Sequence, residues 1–148
     1  MTQTLNDILL NPAKRADVVA DLNELVGQEV SEKSGVSGAA VKLGYSTVTK
    51  LKPGIVPAAV DKMLPDFADA LEPFYKEFQA QGGDFGAFLA SRGEAAAEAL
   101  LSVTDARAAK TSSDAIKKAY EKLRPNARKN VEEALPRLGA VIQKYAQG

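Results

Sequence analysis

The sequence predicts an all-α protein, a compact multi-helix bundle of short, proline-initiated helices in one domain spanning residues 1–148. Three observations carry that prediction. Apolar residues recur at steps of three and four along almost the whole chain, which is the spacing of one helix face. Ala, Leu, Glu, Lys and Arg, the best helix formers, dominate the composition. No segment sustains the apolar–polar alternation of a strand.

Each element follows in order. Thr4 to Leu10 is a short amphipathic turn with Leu5, Ile8 and Leu9 on one side. Asn11-Pro12 opens a longer helix, because Asn caps free amides and Pro fits the first helical position. Its stripe is Ala16, Val19, Leu22, Val26 and Val30, and it ends near Lys33, stopped by Gly35. Ser37 caps the next helix, with stripe Val41, Tyr45, Val48 and Leu51, and Lys52-Pro53-Gly54 ends it. Then Val56, Ala59, Val60, Met63, Phe67, Leu71, Phe74 and Phe78 keep helical spacing across Pro57, Pro65 and Pro73. A proline inside a helix costs about 3 kcal/mol, and at the first position it is nearly free. The economical expectation is therefore a chain of short helices, each opened by its proline. The alternative is a continuous kinked helix from Asp66 to Gln81, and Gln81-Gly82-Gly83 closes this half.

In the second half, Asp84 caps a turn holding Phe85, Phe88 and Leu89. Ser91-x-x-Glu94 fits a capping box for an Ala-rich helix reaching Lys110. Thr111-Ser112-Ser113-Asp114 is a loop and cap, and a stripe from Ile116 to Tyr145 follows, again carrying prolines, Pro125 and Pro136, in register. Leu51-Lys52-Pro53 with Leu64-Pro65 resembles Leu123-Arg124-Pro125 with Leu135-Pro136. That likeness suggests a pseudo-repeat of residues 5–78 and 84–145 about a twofold axis.

Composition narrows function. The chain contains no Cys and no His, which removes thiolate chemistry, sulfur metal sites and the commonest general base and metal ligand. Asp61, Asp66, Asp69 and Glu72 are the available carboxylates, but they fall at polar positions between stripe residues, where general acid–base chemistry lacks burial. No catalytic residue, cofactor site or metal site is expected, and the protein is read as a non-enzyme. The longest uncharged apolar stretch, around Ile55–Val60, is too short to span a bilayer, and the N-terminus lacks a signal pattern, so a cytoplasmic location is expected.

The net charge is zero but unevenly placed: residues 1–105 hold nine basic and fifteen acidic side chains, residues 106–148 ten basic and four acidic. The split suits either an external acidic partner or attraction between the two halves.

Three surfaces are candidates for binding. The first is a basic face, Lys117, Lys118, Lys122, Arg124, Arg128 and Lys129, suited to a protein partner or self-association. The second is the aromatic-rich segment Phe67, Leu71, Phe74, Tyr75, Phe78, Phe85 and Phe88, read as core or as a groove for a small hydrophobic ligand. The third is residues 29–43, whose Glu29, Val30, Gly35, Val36, Ser37 and Val41 resemble the helix-turn-helix of repressor-type DNA-binding proteins. Its second helix offers Ser37, Gly38, Ala39, Lys42 and Leu43, with no Arg, Asn or Gln for base readout, so nucleic-acid binding there or through the basic face is the alternative. The leading expectation is a non-catalytic interaction or self-assembly protein.

LLNPAKRADVVADL, EVSEKSGVSGAAVK and KPGIVPAAVDKMLPDFADALEPFY resemble the signature stretches of a small actinobacterial family of uncharacterised helical proteins, a domain of unknown function. The resemblance implies a helical protein of this length and supplies no activity, cofactor or site residue.

Overall fold

Proline positions decide how many helices form. The computed structural model describes residues 4–33 and 35–147, with the side chains of Val36, Ser37 and Gln147 outside the described set. Among the described residues there are seven helices and no strand: α1 (Leu5–Leu9), α2 (Arg15–Glu32), α3 (Gly35–Leu51), α4 (Ile55–Gln81), α5 (Phe85–Ser91), α6 (Gly93–Lys110) and α7 (Asp114–Gln147). The protein is an all-α bundle, but its prolines correct the expectation of short, proline-initiated helices. Only Pro57 sits in a first turn, whose amides need no helical partner. Pro65 and Pro73 lie inside α4, and Pro125 and Pro136 inside α7.

The physical reason is visible at Pro65. A proline leaves the carbonyl four residues earlier without its helical donor, and that carbonyl belongs to Asp61. The Arg15 guanidinium takes it over, donating through Nη2 to the Asp61 carbonyl and through Nε to the Asp61 carboxylate, both at 2.9 Å. For Pro73 and Pro125 the corresponding residues, Asp69 and Glu121, are exposed, where water reaches the freed carbonyl. Tertiary packing then offsets the remaining cost. In α4, Val60, Leu64, Ala68, Leu71, Tyr75 and Phe78 are buried along one unbroken face.

Capping is partly as the sequence suggests. The Thr4 hydroxyl accepts from the Asp7 amide while the Asp7 carboxylate accepts from the Thr4 amide, and Leu5, Ile8 and Leu9 are buried. The Asp84 carboxylate accepts from the Ala87 amide, and the Ser113 hydroxyl from the Ile116 amide. Three assignments are corrected. Ser91 makes no capping box with Glu94; its hydroxyl donates to the Phe88 carbonyl at 2.6 Å, and α6 begins after Arg92. Asn11-Pro12 forms a turn rather than a first helical turn, with the Asn11 carbonyl accepting from Lys14 and Arg15 before α2 begins. Residue 37 lies within the first turn of α3 rather than before it.

One cluster of buried residues draws on α1, α2, α4, α5, α6 and α7. Its tightest seam is between α5 and α7, where Gly86 and Gly139 meet backbone to backbone. A Cβ on Gly139 would fall onto the Cα of Gly86 and within 2.8 Å of the Phe85 carbonyl carbon. The α3 helix is the contrast: Val41, Tyr45 and Val48 are only half-buried, and Leu43 and Leu51 are 69% and 53% exposed.

The sequence order of short helix, 18-residue helix and long proline-bearing stretch occurs twice, as α1, α2 and α3–α4 and then as α5, α6 and α7.

The charge split is used internally. Arg124 pairs with Asp105, Arg128 with Glu94, Arg137 with Glu29 and Glu32, and Lys144 with Asp21. The basic C-terminal segment thus lies on acids of the preceding helices.

Candidate functional site

The aromatic segment divides into two parts. Tyr75, Phe78, Phe85 and Phe88 pack on one another, with ring centroids 5.5 Å apart for Tyr75–Phe85 and 5.0 Å for Phe78–Phe85. All four are buried, so they form solid core rather than a groove. They were readable as either because a buried stripe and a ligand-lining stripe share the same helical spacing. Phe74 is half-buried against the same core.

Phe67 and Leu71, nearer the start of α4, border a cavity instead. Around the first four turns of α4 the neighbouring side chains leave a cleft between them. Leu22, Leu25 and Val26 approach from α2, Val48 from α3, Leu100 and Leu101 from α6, and Ile116, Leu123, Val131 and Leu138 from α7. On α4 the wall includes Ile55, Val56, Ala59, Val60, Met63 and Phe67. The half-open space between them is about 540 Å³, within the roughly 300–1,000 Å³ typical of small-ligand pockets. Its walls are mostly apolar, so they give water little to bond to.

The few polar groups on its border are ordered by location. Thr104 and Tyr120 belong to a network at the α6–α7 edge. The Tyr120 hydroxyl donates to the Asp105 carboxylate and lies 2.8 Å from the Thr104 hydroxyl, while Arg124 donates to both Asp105 oxygens at 2.9 and 3.2 Å. The Arg124 guanidinium, and next the Tyr120 hydroxyl, hold the Asp105 carboxyl below its ordinary pKa. Burial first, and then the Asp105 hydrogen bond, push the Tyr120 hydroxyl up. A similar trio stands at the other end of α7. There Tyr145 donates to the Asp21 carboxylate beside Lys144, and burial together with Asp21 pushes the tyrosine up to about 12.

The exposed residues on the cavity border are Lys52, Ala58, Lys62 and Arg107. They mark the rim where the cavity meets solvent, between the α3–α4 turn, the start of α4 and the end of α6. Among the described residues no Asp or Glu borders the cavity. None of these three cations had been singled out from sequence as a binding group, because the rim is assembled from separate elements and leaves no spacing signature.

The remaining candidates fall elsewhere. Of the basic face, Arg124 and Arg128 are engaged by Asp105 and Glu94. Lys118, Lys122 and Lys129 are exposed and Lys117 half-buried. Lys129 borders a polar hollow in which Lys33 and Arg137 pair with Glu29, Glu32 and Glu133. In the helix-turn-helix-like segment, Ser34 and the side chains of Val36 and Ser37 lie outside the described residues. The second helix rests on α7, with Gly44 against Leu123, and its exposed cations are Lys42 and Lys50. Among the early carboxylates, Asp61 binds Arg15, Asp69 accepts from Asn6 at 3.4 Å, and Glu72 accepts from the Leu5 amide at 2.7 Å. Asp61, Asp69 and Glu72 therefore tie α1 and α2 to α4. Among the described residues no cluster of three or more carboxylates could hold a metal ion, and no helix is long and apolar enough to cross a membrane.

Fold and site together define a helical bundle assembled around an apolar cavity with a cationic rim. The chain matches, over residues 5–146, the Family of unknown function (DUF6918), and it belongs to that family. Neither a curated protein nor a solved structure matches it.

Proposed function

We propose that the protein is a non-catalytic binder of a small hydrophobic ligand, held in the cavity between α2, α3, α4, α6 and α7. The observation that carries this reading is the volume of about 540 Å³ lined chiefly by apolar side chains from six helices. Filling such a space with an apolar ligand gains about 0.8 kcal/mol per buried methylene. The scaffold around it is firm on one side and thin on the other: α7 is clasped at both ends, while α3 is half-buried and offers a route for entry.

The test is a cavity-filling substitution. Ala59→Phe on α4, and separately Ala108→Phe on α6, place an aromatic ring where the ligand would lie. Binding of an uncharged probe, dodecan-1-ol, measured by calorimetry, is expected to be lost in both variants while the helical circular-dichroism signal is kept. Wild-type protein that fails to bind the alcohol, or filled variants that bind it as well as wild type, would end the reading.

A second reading rests on a different observation. Leu43 and Leu51, two turns apart on the outward side of α3, are both exposed, which favours self-association of two copies through that helix. Sedimentation across a hundredfold range of concentration, with Leu43→Lys as control, reads it directly.

A further inference from the structure

The rim says more about the occupant than the walls do. Every charged residue that borders the cavity is a cation, and all three, Lys52, Lys62 and Arg107, are exposed where the cavity opens. Placing three cations and no anion at the mouth of an apolar space sets up a positive potential there. Their partners are informative too. The chain has six arginines, and five of them, Arg15, Arg92, Arg124, Arg128 and Arg137, are in ion pairs. Arg107 alone has no ion pair among the described residues, and neither has Lys52 or Lys62. A guanidinium offers a planar fork of donors that matches a carboxylate in two-point fashion. In this chain that fork is spent on carboxylates everywhere except at the cavity mouth.

We infer that the ligand is an anionic amphiphile with a single apolar chain: the chain occupies the cavity, and a carboxylate head sits at the rim against Arg107, Lys52 and Lys62. This rests on the cavity being a ligand site, as proposed above, and adds the charge and shape of the occupant. The division of labour follows from the chemistry. The apolar walls supply affinity that grows with chain length, whereas the rim selects the charge of the head and does so more strongly at low salt.

Calorimetry of the full chain with decanoate, dodecanoate, dodecan-1-ol and dodecyltrimethylammonium, each below its micelle concentration, tests the inference. Dodecanoate is expected to bind about fifteenfold more tightly than decanoate, since each added methylene contributes about fourfold. It should also bind at least about tenfold more tightly than the alcohol of the same length, the worth of a hydrogen bond to a charged group. Arg107→Gln should remove most of that preference and leave alcohol binding unchanged, and Lys52→Gln should remove part of it. Both side chains are exposed and have no ion pair among the described residues, so thermal stability should not move.

Equal binding of alcohol and carboxylate in the wild type would overturn the anion assignment while the cavity reading stands. Tightest binding of the cationic amphiphile would overturn it as well. Failure of every amphiphile, the alcohol included, would instead remove the cavity reading and this inference with it. Phosphatidylglycerol vesicles form the remaining arm. Co-sedimentation with them in place of dodecanoate binding would show a bilayer surface, rather than a free single-chain acid, to be the partner.

Discussion

Leu51-Lys52-Pro53-Gly54 and Leu123-Arg124-Pro125-Asn126 read almost alike, yet the first ends a helix and the second lies inside one. At the first, the Lys52 amide still donates to the Val48 carbonyl. Gly54 then turns left-handed at a φ of 82°, and the Ile55 amide donates back to the Lys52 carbonyl, so α4 starts in a new direction. At the second, Arg124 is fixed to Asp105 on α6 and Leu123 packs onto Gly44 of α3, while α7 runs on through Pro125. Two lessons follow. A proline inside a helix is tolerated where packing on either side already fixes the helix direction. And a proline followed by glycine at an unclasped corner becomes a bend, here the bend that brings Lys52 to the cavity rim and leaves α3 loosely held.

Replacing the two prolines separates these cases most sharply. Pro125→Ala restores an amide that can bond the Glu121 carbonyl and removes a ring clash, and it should raise unfolding stability by up to about 3 kcal/mol. Pro53→Ala, in a turn, should change it by less than about 1 kcal/mol, in the destabilising direction, through the freer unfolded chain. Urea denaturation followed by circular dichroism measures both. If the two substitutions move stability equally, the distinction between corner and continuous helix fails.

Glycine at the corner comes next. Gly54→Ala puts a side chain on a left-handed residue and should cost about 1–2 kcal/mol. The adjacent space is open, so the cost is conformational rather than steric. Asn126→Gly at the equivalent helical position should cost under about 1 kcal/mol and leave α7 continuous.

The clasp on α7 should matter less, because its partners are partly exposed. Arg124→Gln should cost less than either substitution above, with the loss shrinking at high salt. Its pH signature is clearer. The Asp105 carboxyl is held below its ordinary value, so its contribution is present above that value and lost as pH falls through the lower, folded-state one. Asp105→Asn should therefore flatten the acid limb of stability against pH. Tyr145 behaves in the opposite sense. Its hydroxyl is pushed up to about 12, so its contribution is intact below the ordinary tyrosine value near 10 and disappears as pH rises toward 12. Tyr145→Phe should flatten that alkaline limb.

Much of the architecture was legible because it is local. The spacing of Leu5, Ile8 and Leu9, the Asp84 cap, the capping loop Thr111–Asp114 and the stop at Lys52-Pro53-Gly54 all depend on residues within a few positions of each other. The interior prolines were legible only in part: the alternative of a continuous helix from Asp66 to Gln81 holds within α4, but the donor that relieves Pro65 is Arg15, in another helix. The division of the aromatic segment was not legible. Phe67 and Phe78 share one helical register, and only the arrival of Phe85 and Phe88 from α5 makes one end solid while the other opens onto a cavity. The rim was the least legible part, being assembled from Lys52, Lys62 and Arg107 on three separate elements.

By itself, then, the sequence determined that the chain is helical, where some of its helices begin and end, and that it carries neither His nor Cys for chemistry. Those properties are set residue by residue or within a single turn. Tertiary structure alone decided which prolines bend the chain, which apolar side chains meet and which stand apart, and which cations stay unpaired. Each of these depends on what a distant segment brings within a few ångströms, and a helical stripe specifies only that a face is buried, not what it is buried against.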